Sequence, residues 1–96
     1  MARFLGESYP VGSGQQELAA TIDSAQKVAA DMRAAGCELS LLSSTFVPAE
    51  EALFCLFEAP SAADVVELGQ RAGLRFAHVV EAFDAGSEAP TQTRRS

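Results

Sequence analysis

Apolar positions recur along this chain at two different periods. From Gln15 to Ala35, Leu18, Ile22, Ala25, Ala29 and Met32 follow one another at steps of four and three, with Glu17, Asp23, Gln26, Lys27 and Arg33 largely between them. Residues three and four apart stack on one side of a helix, so this stretch predicts an amphipathic helix. Ser13 and Gln16 have the capping-box spacing at its start, and Gly36 offers a left-handed residue to end it. The pattern returns after Pro60. Ser61 and Asp64 repeat the capping spacing, Val65, Leu68 and Ala72 mark one face, and Gly73 stops the second helix.

The remaining segments read as strands. Residues 3–9, Arg-Phe-Leu-Gly-Glu-Ser-Tyr, are stopped by Pro10 and a Val-Gly-Ser-Gly loop. Residues 37–47 and 52–59 flank the turn Pro48-Ala49-Glu50-Glu51 as strand, turn and strand. A final strand runs from Arg75 to Phe83. The order β-α-β-β-α-β is that of the ferredoxin-like plait, an α+β fold with four antiparallel strands in spatial order 4-1-3-2 and both helices on one face. One domain is expected over residues 1–84. Residues 85–96 lack aromatic and β-branched aliphatic side chains and are expected to form a flexible C-terminal tail.

Two helices cover one face of such a sheet, which leaves the other for solvent, a ligand or another molecule. Strand parity predicts what that open face carries. Placing the glutamates outward groups Glu7, Glu58 and Glu81 on neighbouring strands, among Leu5, Tyr9, Phe54, Leu56, Val79 and Phe83. Converging carboxylates raise one another's pKa or attract a cation. Glu7, Tyr9, Phe54, Glu58 and Glu81 are therefore the candidate ligand-binding residues, or else the glutamates stand at strand ends in water. His78, the single histidine, shares its parity with Cys55 and Ser8 and so points toward the helices; a bulge in its strand reverses that assignment. On the open face, His78, Cys55 and Glu58 would make a candidate metal set.

Composition narrows the partners. The chain has 96 residues, 48% of them hydrophobic, enough for one small core and too few for two. With 7 basic against 13 acidic residues its net charge is −6, the wrong sign for gripping a phosphate backbone, so nucleic acid is not an expected partner. No apolar run approaches the roughly 20 residues of a membrane span, and the N-terminus shows no secretory h-region. A membrane is thus not an expected partner either. Two cysteines 18 positions apart make no disulfide framework, and a cytoplasmic setting is expected. Gly12-Ser13-Gly14 begins like a dinucleotide fingerprint but lacks its third glycine, and Walker, His-Glu-x-x-His, Cys-x-x-Cys and Gly-x-Ser-x-Gly motifs are absent. Trp and Asn are missing too, which sets the chain apart from the haem-degrading monooxygenases of this architecture, with their Asn-Trp-His set.

At Ser44-Thr45-Phe46-Val47-Pro48, Leu53-Phe54-Cys55-Leu56-Phe57-Glu58-Ala59-Pro60, Arg71-Ala72-Gly73 and Val79-Val80-Glu81, the chain resembles a family of small domains of unknown function. Some members of that family are described as nickel-binding proteins. The resemblance spans roughly residues 3–84, and the Phe-Cys-Leu-Phe-Glu-Ala-Pro block is its most specific part. It implies a ferredoxin-like fold, a dimer and a divalent metal such as nickel, with Cys55 and Glu58 as the residues matching the motif. The expected function is a dimeric binding module for a metal ion or small ligand at the open sheet face. The alternative is a cofactor-independent α+β-barrel enzyme, an isomerase, cyclase or monooxygenase acting on an apolar substrate, with Tyr9, Glu58 or His78 as acid or base.

Overall fold

The computed structural model describes residues 1–10, 12 and 14–83. Strand β1 (Ala2–Ser8) leads into helix α1 (Gln15–Ala34), then β2 (Ser40–Val47), a short 3₁₀ turn at Pro48–Glu50, β3 (Ala52–Ala59), helix α2 (Ala62–Ala72) and β4 (Phe76–Ala82). All pairings are antiparallel, and the strands lie in the order β2-β3-β1-β4, the sheet order expected of the plait. Residues 85–96, expected as a flexible tail, lie outside the described residues. Among the described residues no helix is long and apolar enough to cross a membrane.

The ends of α1 show how local chemistry sets its bounds. Gly14 is the N-cap, one place beyond the expected Ser13, and its N–H donates to Glu17 Oε1 at 2.8 Å. Glycine has no side chain to return the bond, so half a capping box is made, one residue later than the Ser13–Gln16 spacing implied. At the other end Gly36 takes a φ of 101°, its N–H donating to the Arg33 carbonyl and that of Cys37 to the Met32 carbonyl. Those two bonds are the Schellman closure, and they require the left-handed residue that glycine supplies most cheaply. In α2, Ser61 is the N-cap, but its hydroxyl donates to the Asp64 carboxylate at 2.9 Å.

The core lies between the helices and one side of the sheet. On β3, Leu53, Cys55, Phe57 and Ala59 are buried while Phe54, Leu56 and Glu58 between them are half-exposed, the alternation of a central strand with one covered face. Ala25, Ala29 and Met32 of α1 and Val65 and Leu68 of α2 close over that row. Phe57 is wholly buried and meets Phe76 edge to face, ring centres 5.8 Å apart and planes at 82°. Burying such a side chain contributes about 1.5–3 kcal/mol, with about 0.5–1.5 kcal/mol more from the aromatic pair.

Phe76 sits in a gap between two glycines. A Cβ on Gly6 of β1 would lie 2.8 Å from its ring, and one on Gly69 of α2 would also lie 2.8 Å from it. With its ring anchored there, Phe76 pairs with Ser8, and the next pair along is His78 with Glu7. Ala77 is left over, a bulge in β4 that carries every later side chain of the strand to the opposite face.

Candidate functional site on the open sheet face

Paired residues on antiparallel strands point to the same side, so the registers define rows across the uncovered face. One row is Ser40, Glu58, Arg3 and Ala82; the next is Ser43, Leu56, Leu5 and Val80; the third is Thr45, Phe54, Glu7 and His78. An apolar row thus lies between two polar ones. Leu5, Phe54 and Leu56 are half-buried at the centre, and Val80 at the edge is 53% exposed.

The polar rows differ in character. Arg3 Nε lies 3.6 Å from Glu58 Oε2, with both side chains 39% exposed, so the Glu58 charge is already answered by a neighbour. In the third row the Tyr9 hydroxyl donates to Glu7 Oε2. That bond, together with loss of solvation and the charges of Glu7 and Glu50, pushes the Tyr9 phenol above its ordinary value. Tyr9, Glu7 and His78 therefore make a short run of hydrogen-bonding groups, with the ring of Phe54 on the other side of Glu7. A carboxylate between a phenol and an imidazole accepts hydrogen bonds or a proton, while the aromatic and aliphatic neighbours accept apolar surface.

This arrangement corrects several expectations. His78 stands on the open face beside Glu7, because the bulge at Ala77 inverts the simple parity count. For the same reason Val79 and Glu81 leave that face: Val79 pairs with Gly6 and packs against the core, and Glu81 pairs with Phe4. The acidic cluster Glu7, Glu58 and Glu81 accordingly does not form; Glu7 and Glu58 remain on the open face, two rows apart. Cys55 is wholly buried on the helix side, where burial pushes its thiol up and a hydrogen bond with Ser44 offsets part of that effect. The set His78, Cys55 and Glu58 is split across the two faces of the sheet. Among the described residues no three His, Cys, Asp or Glu side chains converge on a point. Ser8 and His78, neighbours by strand order, also face opposite ways. Tyr9, Glu7 and Phe54 do come together as expected.

Sequence reasoning missed the part played by Gly6 and Gly69. Their signal is a glycine inside a strand and another inside a helix, each a mark of close approach by another group.

The sheet order, the two helices on one face and the uncovered side chains of Leu5, Phe54 and Leu56 on the other define a two-layer α+β plait of the ferredoxin-like class. The chain is similar in fold to the SCO4226 protein of Streptomyces coelicolor A3(2), known from a crystal structure, with a TM-score of 0.72 and 23% identity over 84% of this chain and 95% of that one. No protein-family profile and no curated protein matches the chain.

Proposed function

We propose that the chain is a small binding module in which two copies pair through their open sheet faces and hold a small organic ligand against Glu7, Tyr9, Phe54 and His78. The observation that carries this reading is the row Leu56, Leu5 and Val80, apolar and uncovered, running beside the polar group Tyr9, Glu7 and His78. Exposed apolar surface of this kind in a domain of 96 residues gains by being covered, and a second copy presents the same rows in reverse. Leu56, Leu5 and Val80 supply the contact, while Glu7 and His78 supply hydrogen-bonding groups that orient what lies between.

The nickel ion implied by the family resemblance finds no complete donor set among the described residues of one copy. Cys55 is on the far side of the sheet, Glu58 is paired with Arg3, and His78 has Glu7 as its neighbour in place of a third donor. A transition-metal site needs three or four donors on one point, and one copy brings two, so a metal on this face requires Glu7 and His78 from both copies of the pair. The enzymatic reading draws on one observation, the Tyr9 hydroxyl bonded to Glu7. There Glu7 takes a proton from a bound apolar substrate and Tyr9 or His78 returns one.

Native mass spectrometry of untagged protein with and without Ni²⁺, Zn²⁺, Co²⁺ and Cu²⁺ tests the module directly. The expected species is a dimer without stoichiometric metal, whose co-purified or added organic ligand is lost in Glu7→Gln. Stoichiometric metal uptake abolished by His78→Ala overturns the choice of ligand. Turnover abolished by Glu7→Gln in the presence of an apolar substrate decides for the enzyme.

A further inference from the structure

The helix side of the sheet carries a cavity of its own. Beside the end of β1, a cavity of about 270 Å³ opens between the first turns of α1 and the turn from α2 to β4. Its walls include Ser8, Tyr9, Pro10, Leu18, Thr21, Leu74 and Arg75. Two of these side chains are unusual.

Ser8 is the buried polar residue of the described core, 5% exposed, and its hydroxyl has no hydrogen-bond partner among the described residues. Buried hydroxyls are ordinarily paired, so one facing a cavity marks a place where something else supplies the bond. Arg75 stands apart in the same way. Arg3 pairs with Glu58, Lys27 with Asp23 and Arg71 with Glu67, while Arg33 donates to the Leu39 carbonyl. Arg75 alone of the five described basic residues has no such partner among the described residues. In a chain with a net charge of −6, an arginine with no ion-pair partner among the described residues lies beside a cavity that also holds a hydroxyl with no hydrogen-bond partner among them.

The remaining chemistry selects the ligand. Thr21 Oγ1 already donates to the Glu17 carbonyl at 2.9 Å and the Tyr9 hydroxyl to Glu7, so the side-chain donors left are the Ser8 hydroxyl and the Arg75 guanidinium. Donors without matching acceptors call for an anionic end, and a guanidinium fork suits a carboxylate. Pro10, Leu18 and Leu74 call for an apolar remainder. At about 30 Å³ per water the cavity holds about nine waters, which sets the ligand at about six to nine non-hydrogen atoms. We infer that this cavity binds a small monocarboxylate, its carboxylate on Ser8 and Arg75 and its apolar chain on Leu18 and Leu74. Tyr9 borders both this cavity and the open-face group, but Ser8, Leu18, Leu74 and Arg75 belong to the cavity alone, so the inference does not rest on the open-face reading.

Hexanoate, with about eight non-hydrogen atoms, is a suitable probe, and 1-hexanol its neutral control. Each is titrated into the nitrogen-15-labelled full chain while the amide resonances are followed. The expected result is saturable shifts at Ser8, Leu18, Thr21, Leu74 and Arg75 with hexanoate and none with hexanol. Arg75→Gln should weaken binding about tenfold or more, Ser8→Ala about threefold or more, and Arg75→Lys less than Arg75→Gln. Arg75 is exposed, so its variants keep the fold and carry the test if Ser8→Ala does not. Four results overturn the inference: no saturable shift up to about 50 mM hexanoate, equal response to hexanol, binding unchanged in Arg75→Gln, or shifts centred on Leu5, Leu56 and Val80.

Discussion

Gly69→Ala sets two well-known effects against each other. Gly69 lies inside α2, where alanine is favoured over glycine by about 1 kcal/mol, so helix propensity alone makes the variant more stable. The packing opposes it. A Cβ there meets the Phe76 ring at 2.8 Å and the Leu74 carbonyl oxygen at 2.9 Å. The ring is confined on its far side by Gly6, and Leu74 is held at the helix end by its N–H, which donates to the Gly69 carbonyl at 2.7 Å. Neither neighbour can yield, which places the overpacking cost at about 2–3 kcal/mol. The net expectation is a loss of about 1–2 kcal/mol, seen as a fall in Tm of roughly 5–15 °C for a domain of this size. Urea denaturation gives the free energy directly, with the exposed neighbour Gln70→Ala as the control for propensity.

The same contacts predict an unequal rescue. The three atoms nearest a Cβ on Gly6 all belong to the Phe76 ring, so Gly6→Ala combined with Phe76→Leu should recover most of its loss relative to Phe76→Leu alone. Gly69→Ala combined with Phe76→Leu should recover less, because the Leu74 oxygen remains in the way. If Gly69→Ala is as stable as the parent or more so, the ring is not held between the two glycines. The reason given for the bulge at Ala77, and with it for the place of His78, then fails.

Three further outcomes follow from the structure. Tyr9 is the single tyrosine, so ultraviolet titration reads it alone; its midpoint should lie above the usual value of about 10 and move back toward it in Glu7→Gln. Because the folded chain holds that proton more tightly than the unfolded one, the stability it contributes is complete below about pH 10 and is lost as pH rises through the folded value. At about pH 8, where a free thiol is partly ionised, a disulfide reagent should label Cys37 slowly, since burial and then Asp64 push its thiol up, and should label Cys55 only on unfolding; equal rates for both would contradict the burial of Cys55. Glu58→Gln removes a half-exposed ion pair with Arg3 and should lower stability by less than about 1 kcal/mol in urea, a larger loss showing that the pair carries more than a surface contact.

Much of the fold is legible because its signals are local. Leu18, Ala25, Ala29 and Met32 mark the buried side of α1 by spacing alone, and Gly36 and Gly73 end their helices through left-handed φ values that few other residues tolerate. Alternation on β3 is equally plain, so Phe54 was placed outward and Cys55 inward from the pattern. The site was harder to read because β4 contains the doublet Val79-Val80 and one surplus residue. A parity count cannot see a bulge whose cause is a ring wedged between glycines 63 positions apart in the chain, Gly6 and Gly69. That one residue moved His78 onto the open face and removed Glu81 from it. β2 holds a second bulge, at Leu42, within another apolar doublet whose spacing does not say which leucine faces inward.

The central claim is that the open sheet face pairs two copies of the chain, and sedimentation velocity over a range of concentrations tests it most directly. Leu56→Lys places a charge in the middle of the apolar row without touching the core, and Val66→Lys makes the same change on an exposed position of α2. The account predicts that the parent and Val66→Lys sediment as dimers of twice the 10.1 kDa chain and Leu56→Lys as a monomer. A parent that stays monomeric at all concentrations, or a Leu56→Lys that stays dimeric, contradicts it.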